Sequence, residues 1–530
     1  VLYSQRTLST EEKLMTTTTT PATKDWVSFT DRSEESVGND ETELNRLQQV
    51  FSGQQQAFLA DPYPSIEARV ARLQSLAGAI MKHRTAMQKA LQDDFITHPD
   101  EFSDLIEILG MVSRIHLTIE TLTAWAAPQE RPLNQDFWGS AKGYMLPQPK
   151  GVILNMAPWN FPYDIGIGPI IEMIAAGNRV VVKPSDLSPH TGEVYRQIVE
   201  DAFPDLSHGV RVVEIVIGGL ALSKACVSLP WDHLLYTGGT AGAKAVMRAC
   251  AENLVPLTLE LGGKCPAILG NKQLAEDPTV IDEIMGTKMI KNGQMCVSVD
   301  YVMIPEGSQT AFVAQARKSI EKMAPLGYTR DPNLPSIITD GHADRIAGLV
   351  ADAQEKGFEV IQHGVESNDK RRPPFSFIIN PTDDALVMQE EIFGPVLPVK
   401  TYASVEDAVK YVQQHDRPLS VSLWTDDTEL KDRVIRTTHS GGFNHNAGTS
   451  MHAAQPQLGF GGSGQSGMGR HHGYEGFMEF SNLKAVFEKG EGGIALENGA
   501  ILLAPYNRPE TQATIAAMVE QLTAATNAAV

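Results

Sequence analysis

Four short apolar runs, Gly151 to Met156, Val180 to Lys183, Val210 to Ile217 and His233 to Thr237, follow one another along the chain, each separated from the next by a stretch of helical length. Strands that alternate with helices predict a parallel sheet with right-handed crossovers, so the fold class is α/β. A second α/β stretch begins near Leu257 and continues past Pro418, and a glycine-rich loop and tail follow from Gly441. Ahead of the strands, Leu44, Leu47, Phe51 and Phe58 recur at helical spacing. A second helix, opened by Ser65 after Pro62 and Pro64, carries Ile66, Val70, Leu73 and Ile80 on one face. Helical sequence continues to about Trp125, and the segment Pro128 to Lys150, rich in Pro, Gln and Gly, reads as an extended element.

With 530 residues, 42% of them hydrophobic, the chain is long enough for two or three domains with sizeable cores. The polar opening stretch, with its Thr16 to Thr20 tract and a possible true start at Met15, reads as a flexible arm over residues 1–43. A formal net charge of −20 argues against a sequence-independent hold on nucleic acid or anionic lipid, which needs a Lys/Arg surface. Only four cysteines occur, Cys226, Cys250, Cys265 and Cys296, with no C-x-x-C or H-E-x-x-H. No disulfide framework and no metal site are expected, but a reducing compartment is, with at most one chemically busy thiol. With no apolar run long enough to span a membrane and no signal-peptide pattern, a cytoplasmic protein is expected.

Several short motifs carry possible chemistry. The literal G-x-G-x-x-G pattern at Gly459, Gly461, Gly464, and again at Gly462, Gly464, Gly467, lies in a Gly/Ser-rich run near the C-terminus rather than between a strand and a helix. Positive φ or close backbone approach explains it better than a phosphate cradle. The turn Tyr236 to Lys244 follows a strand and precedes a helix; Gly238 and Gly239 there either present amides to a diphosphate or serve only the turn. Lys183, in Lys183-Pro184-Ser185-Asp186, ends another strand and is either a ribose or phosphate ligand or an ordinary solvated lysine. Asn160, between the prolines of Pro158-Trp159-Asn160-Phe161-Pro162, either caps a turn or donates to an oxyanion. Glu260, flanked by Leu259 and Leu261, points to solvent from an edge or is desolvated into a useful base. Cys296 follows a Gly loop after a helix-like stretch, where exposure and backbone amides would favour a reactive thiolate.

Together with Gln389-Glu390-Glu391-Ile392-Phe393-Gly394-Pro395-Val396 and Gly467-Met468-Gly469-Arg470, these motifs, in this order, resemble the NAD(P)-dependent aldehyde dehydrogenase superfamily from about Phe58 to Tyr506. Gln56 to Ser65, Leu146-Pro147-Gln148-Pro149, His472 to Phe477 and Ala504-Pro505-Tyr506 are most similar to its class 3 and coniferyl-aldehyde branch. The resemblance implies an aldehyde dehydrogenase-like fold: a Rossmann-like cofactor domain over 44–139 and 151–260, an α/β catalytic domain over 261–440, and a bridging and oligomerisation element over 140–150 and 480–506. A substrate-side loop and return segment covers 441–479, and a tail 507–530, too polar for the apolar anchor of the branch's membrane-bound members.

By the same resemblance, Cys296 is the nucleophile, Asn160 and the Cys296 amide hold the oxyanion, and Glu260 activates the water that hydrolyses a thioester. Lys183, Ser185, Asp186, Gly238, Gly239, Glu391 and Phe393 would contact NAD or NADP, held by local groups against the net charge. The partner is a small aldehyde, aromatic or medium- to long-chain, with no stable membrane anchor, and a homodimer is implied. Asp186 stands where the family often has Glu, which leaves NAD versus NADP open, with use of both expected. Gly239 replaces a frequent Ser, Ala243 a frequent Gly with Gly242 one position early, and Gly459 a usual Pro. A CoA-acylating relative, which commonly lacks the Glu base, a non-catalytic relative, and a cofactor-free thiol hydrolase are the alternatives.

Overall fold

The computed structural model describes residues 40–365, 367–493, 505 and 507–528. The expected arm therefore lies outside the described residues up to position 39, and so does most of 494–506. Sixteen strands occur among the described residues. The first α/β layer contains β3 (Val152–Met156), β4 (Arg179–Lys183), β5 (Val213–Ile215), β6 (His233–Gly238), β7 (Leu257–Leu261) and the two-residue β15 (Gly467–Met468). Their spatial order is β15-β7-β6-β3-β4-β5, with β15 antiparallel to β7 and the other pairs parallel. The chain lays down β3, adds β4 and β5 on one side, then returns to add β6 and β7 on the other. The order thus reverses between β3 and β6, the place where open parallel sheets leave a crevice at their strand ends.

Alternate residues of these strands face opposite cores. Ile153, Val180, Val182 and Leu235 join one apolar cluster with Leu73, Ile80 and Ile171. Val152, Leu154, Val181 and Leu234 join another with Leu47, Trp231 and Val246. Both faces are apolar, which is why these strands read as continuous hydrophobic runs rather than as alternation. The helix Ile66–Phe95 is capped as its sequence predicts, with Ser65 Oγ accepting the Ala68 amide at 3.2 Å. Leu235 is fully buried in β6. A Leu235→Ala variant should lose about 2–5 kcal/mol and melt earlier in calorimetry; an unchanged melting temperature would contradict this packing.

The second layer is a seven-stranded sheet of order β10-β11-β12-β9-β8-β13-β14. Its strands are β8 (Pro266–Leu269), β9 (Tyr301–Pro305), β10 (Glu359–His363), β11 (Phe375–Ile379), β12 (Val396–Tyr402), β13 (Ser420–Trp424) and β14 (Gly442–His445). Only β10, at one edge, runs antiparallel. Strand β14 lies within the segment read from sequence as a substrate-side loop. A third, antiparallel sheet pairs β1 (Gln129–Arg131), β2 (Lys142–Pro149) and β16 (Ser481–Glu488). Residues from far apart in the chain meet here, and among the described residues one edge of β16 has no partner strand. No helix among the described residues is long and apolar enough to cross a membrane.

Candidate active site

The loops that leave β3, β4, β6 and β7 sit at the same ends of their parallel strands, and they carry the motifs singled out above. β3 runs through Met156, paired with Lys183, into Pro158-Trp159-Asn160-Phe161-Pro162. Pro162 then opens the helix Pro162–Gly166. Asn160 is buried, and one hydrogen of its side-chain amide goes to the Gln294 carbonyl at 3.2 Å. An amide NH₂ has two donors, so that bond orients the group and leaves one donor to offer.

Cys296 follows the helix Pro278–Met289 after an abrupt reversal: Lys291, Asn292 and Gly293 have φ of 45°, 57° and 79°. Two consecutive non-glycine residues in the left-handed region are costly and need outside support. Here the support is dense: Asn292 Nδ2 donates to the Pro335 carbonyl at 2.8 Å, and Gln294 Nε2 to the Lys291 and Ser336 carbonyls at 2.8 and 3.0 Å. Of the four cysteines only Cys296 keeps some exposure. One expectation needs correction: the environment does not favour a thiolate. Burial pushes the Cys296 thiol well above its ordinary value, and the nearby Glu391 and Glu260 carboxylates push it the same way. Burial is the largest of these effects, and the Val297 amide, which donates to the sulfur, opposes them.

Glu260 stands in β7 opposite Thr237 of β6 and Gly467 of β15. It does not point to solvent: the residue is buried, and its carboxylate meets no side-chain donor, only the Gly462 amide at the edge of hydrogen-bond reach. Burial raises its pKa well above the ordinary value, with the Arg470 guanidinium opposing. Gly467 admits β15 because a Cβ there would strike the Leu259 carbonyl, and its φ is 136°. The late glycine run therefore serves close backbone approach beside Glu260.

Glu391 is likewise desolvated, its pKa raised to about 8 chiefly by burial and then by Asp300, and Oε1 has no partner. Its loop is pinned by Lys264, which donates to the Val387 and Glu390 carbonyls at 2.8 and 3.0 Å, and by Arg345, which donates to the Glu391 and Ile392 carbonyls at 3.2 and 2.5 Å. Phe393 has φ of 49°, and its ring meets that of Trp159 edge-on at 5.5 Å, next to Asn160. A Cβ on Gly262 would run into the Glu391 carboxylate.

Lys183 ends β4 almost fully buried, and Ser185 Oγ accepts the Leu187 amide at 3.1 Å in the turn that contains Asp186. At the end of β6, Gly239 precedes the helix Thr240–Ala251 with open space where a Cβ would stand. Tyr236 explains the local departures: Cβ atoms on Gly238 or Gly242 would collide with its hydroxyl, whereas Ala243 points into the core. A side chain at 242 would therefore have to displace the Tyr236 hydroxyl, whereas one at 243 does not. The structure brings Asn160, Cys296, Glu260 and Glu391 to one place, and sets Lys183 and the 238–239 turn on flanking strand ends. Sequence reasoning missed Gln294, Lys291 and Glu107, whose contacts depend on partners distant in the chain.

The aldehyde dehydrogenase family model matches residues 46–486, and the chain belongs to that family. A probable coniferyl aldehyde dehydrogenase of Caulobacter vibrioides is 39% identical over 456 residues, 85% of this chain and 92% of that protein. The coniferyl aldehyde dehydrogenase of a Pseudomonas species is 34% identical, over 87% of this chain and 94% of that one. A substrate-bound structure of Staphylococcus aureus AldH superposes with a TM-score of 0.80 at 29% identity, covering 89% and 99%. An NAD+ complex of a Bacillus cereus aldehyde dehydrogenase, 22% identical, shares the fold with a TM-score of 0.74, covering 85% and 89%.

Proposed function

We propose that the chain oxidises an aldehyde to its carboxylic acid with NAD(P)+ through a covalent thioester on Cys296. The observation that carries this reading is the placement of a buried Glu260 carboxylate within electrostatic reach of the one partly exposed thiol, beside an oriented Asn160 amide. The partly exposed Cys296 thiol gives its proton to solvent, so Glu260 is kept as the base for the hydrolytic step. Sulfur then attacks the carbonyl carbon, and the new oxyanion receives the second Asn160 N–H and the Cys296 amide.

The crevice suits a dinucleotide: open space at Gly239, helix amides behind it, and an orphaned Glu391 oxygen across the site. Lys183, Ser185, Asp186, Gly238, Gly239, Glu391 and Phe393 would hold it, and the chemistry it supplies is acceptance of hydride from the adduct carbon. Glu260 next takes a proton from water, whose oxygen attacks the thioester, and the Cys296 sulfur leaves. The curated relatives support an aromatic, coniferyl-like aldehyde. The short Asp186 carboxylate leaves room for a 2′-phosphate, which supports NADP as well as NAD. A homodimer joined through the open edge of β16, which exposes Leu483 and Phe487, and a cytoplasmic location complete the reading.

The test is the absorbance of reduced cofactor on adding NAD+ or NADP+ with aromatic and long-chain aldehydes, with and without CoA. Acid formed without CoA supports hydrolysis; strict dependence on CoA would replace this reading with acyl transfer. Gly262→Ala should displace Glu391 and weaken NAD+ binding about tenfold or more, read by fluorescence titration; unchanged affinity would remove Glu391 from the cofactor site.

A further inference from the structure

The loops bearing Asn160 and Cys296 are tied together from behind by a buried charge. Lys291, five positions before Cys296, directs its ammonium to the Glu107 carboxylate and to the Asn160 carbonyl at 2.6 Å. Both charged side chains are completely buried. Glu107 belongs to a single π-turn, Asp104–Ile108, and its second oxygen accepts the Tyr163 and Asp164 amides at 3.1 Å each. Those amides open the helix that follows Asn160. The ammonium also lies over the rings of Phe95 and Phe161, at 4.7 and 4.4 Å.

Three of these bonds form a closed circuit. The Lys291 side chain holds the Asn160 carbonyl, the Asn160 side chain holds the Gln294 carbonyl, and the Gln294 side chain holds the Lys291 carbonyl. Each residue's donor restrains the next residue's backbone, so neither loop can rotate alone. A buried ion pair is an expensive way to gain stability, because desolvation opposes both charges and apolar side chains of like size do as well. What it provides here is direction: a cation fixes the Asn160 peptide plane, and the Asn160 amide follows.

We propose that Lys291, held by Glu107, is a positioning residue for the oxyanion pocket, setting the direction of the Asn160 amide relative to Cys296. The inference rests on the function proposed above. Lys291→Met alone strands a buried carboxylate and is expected to fold poorly. The double variant Glu107→Gln/Lys291→Met removes both charges and should fold with a melting temperature near that of the unaltered protein.

In that double variant kcat should fall at least tenfold, with KM for the aldehyde changed less than threefold. Asn160→Ala, which by itself should cost about 10²–10³-fold, should cost less than tenfold more when added to the double variant, because the two act on one interaction. Lys291→Gln in the Glu107→Gln background, which keeps one donor, should recover part of kcat. In a crystal structure of the double variant the bond from Asn160 to the Gln294 carbonyl should be lost. Unchanged kcat, or losses that multiply independently, would overturn the inference. The crystal structure separates it from the reaction: an unaltered protein without dehydrogenase activity refutes the proposed function, while an undisturbed Asn160 in the variant refutes the role of Lys291.

Discussion

Cys296→Ala should abolish aldehyde-dependent formation of reduced cofactor, a loss of about 10⁴-fold or more. The side chain forms the covalent bond to substrate in the proposed reaction, so its removal leaves no route to the thioester. No other thiol can take over, since Cys226, Cys250 and Cys265 are buried. Binding of NAD+ should persist, because the residues proposed to hold the cofactor stand on other loops. Steady-state rates measured with NAD+ and an aromatic aldehyde check the first point, and fluorescence titration the second. A variant that keeps more than a tenth of the original rate would show that the chemistry does not pass through Cys296.

Glu260→Gln should separate the two halves of the reaction. With the proton acceptor gone, water attacks the thioester slowly, and steady turnover should fall by about 10²–10⁴-fold. Stopped-flow absorbance should then show a burst close to one reduced cofactor per subunit followed by a stall. A smooth progress curve at the original rate would remove Glu260 from the mechanism. The pH dependence has a definite sign. Burial raises the carboxyl pKa well above 4.5, and the ionised form is the base. The rate of the unaltered protein should therefore climb as pH rises through that raised value, and the variant should lose the climb.

The same shift bears on stability. The folded chain binds the Glu260 proton more tightly than the unfolded chain, so this group lowers stability as pH rises from about the ordinary carboxyl value to the raised one. Glu260→Gln should melt higher than the unaltered protein at alkaline pH and show no such gain in acid, which calorimetry at two pH values reads directly.

Much of the scaffold was legible because its signals are local. Val180 to Lys183 and His233 to Thr237 became β4 and β6 with boundaries shifted by a residue, since apolar runs between turn residues need no distant partner to be read. Val210 to Ile217 shrank to the three residues of β5, Val213 to Ile215, with Val212 and Val216 adding one backbone bond each to β4 and the residues beyond them none. The glycine departure at 242 looked like an irregularity of a diphosphate turn; it is a clearance for the Tyr236 hydroxyl, a contact that spacing cannot show.

Which residue types stand on which loop, and in what order, was written in the chain, because a soft nucleophile, a carboxylate and an amide donor can each be recognised where they occur. Their physical states were not. Whether Cys296 is a thiol, whether Glu260 keeps its proton and why Asn160 faces as it does depend on burial and on charges brought from elsewhere in the chain. Glu107 and Lys291 are 184 positions apart, and only folding places their charges together in a dry interior. Protonation and direction are set by the field and packing around a group, and these exist only once distant segments have met.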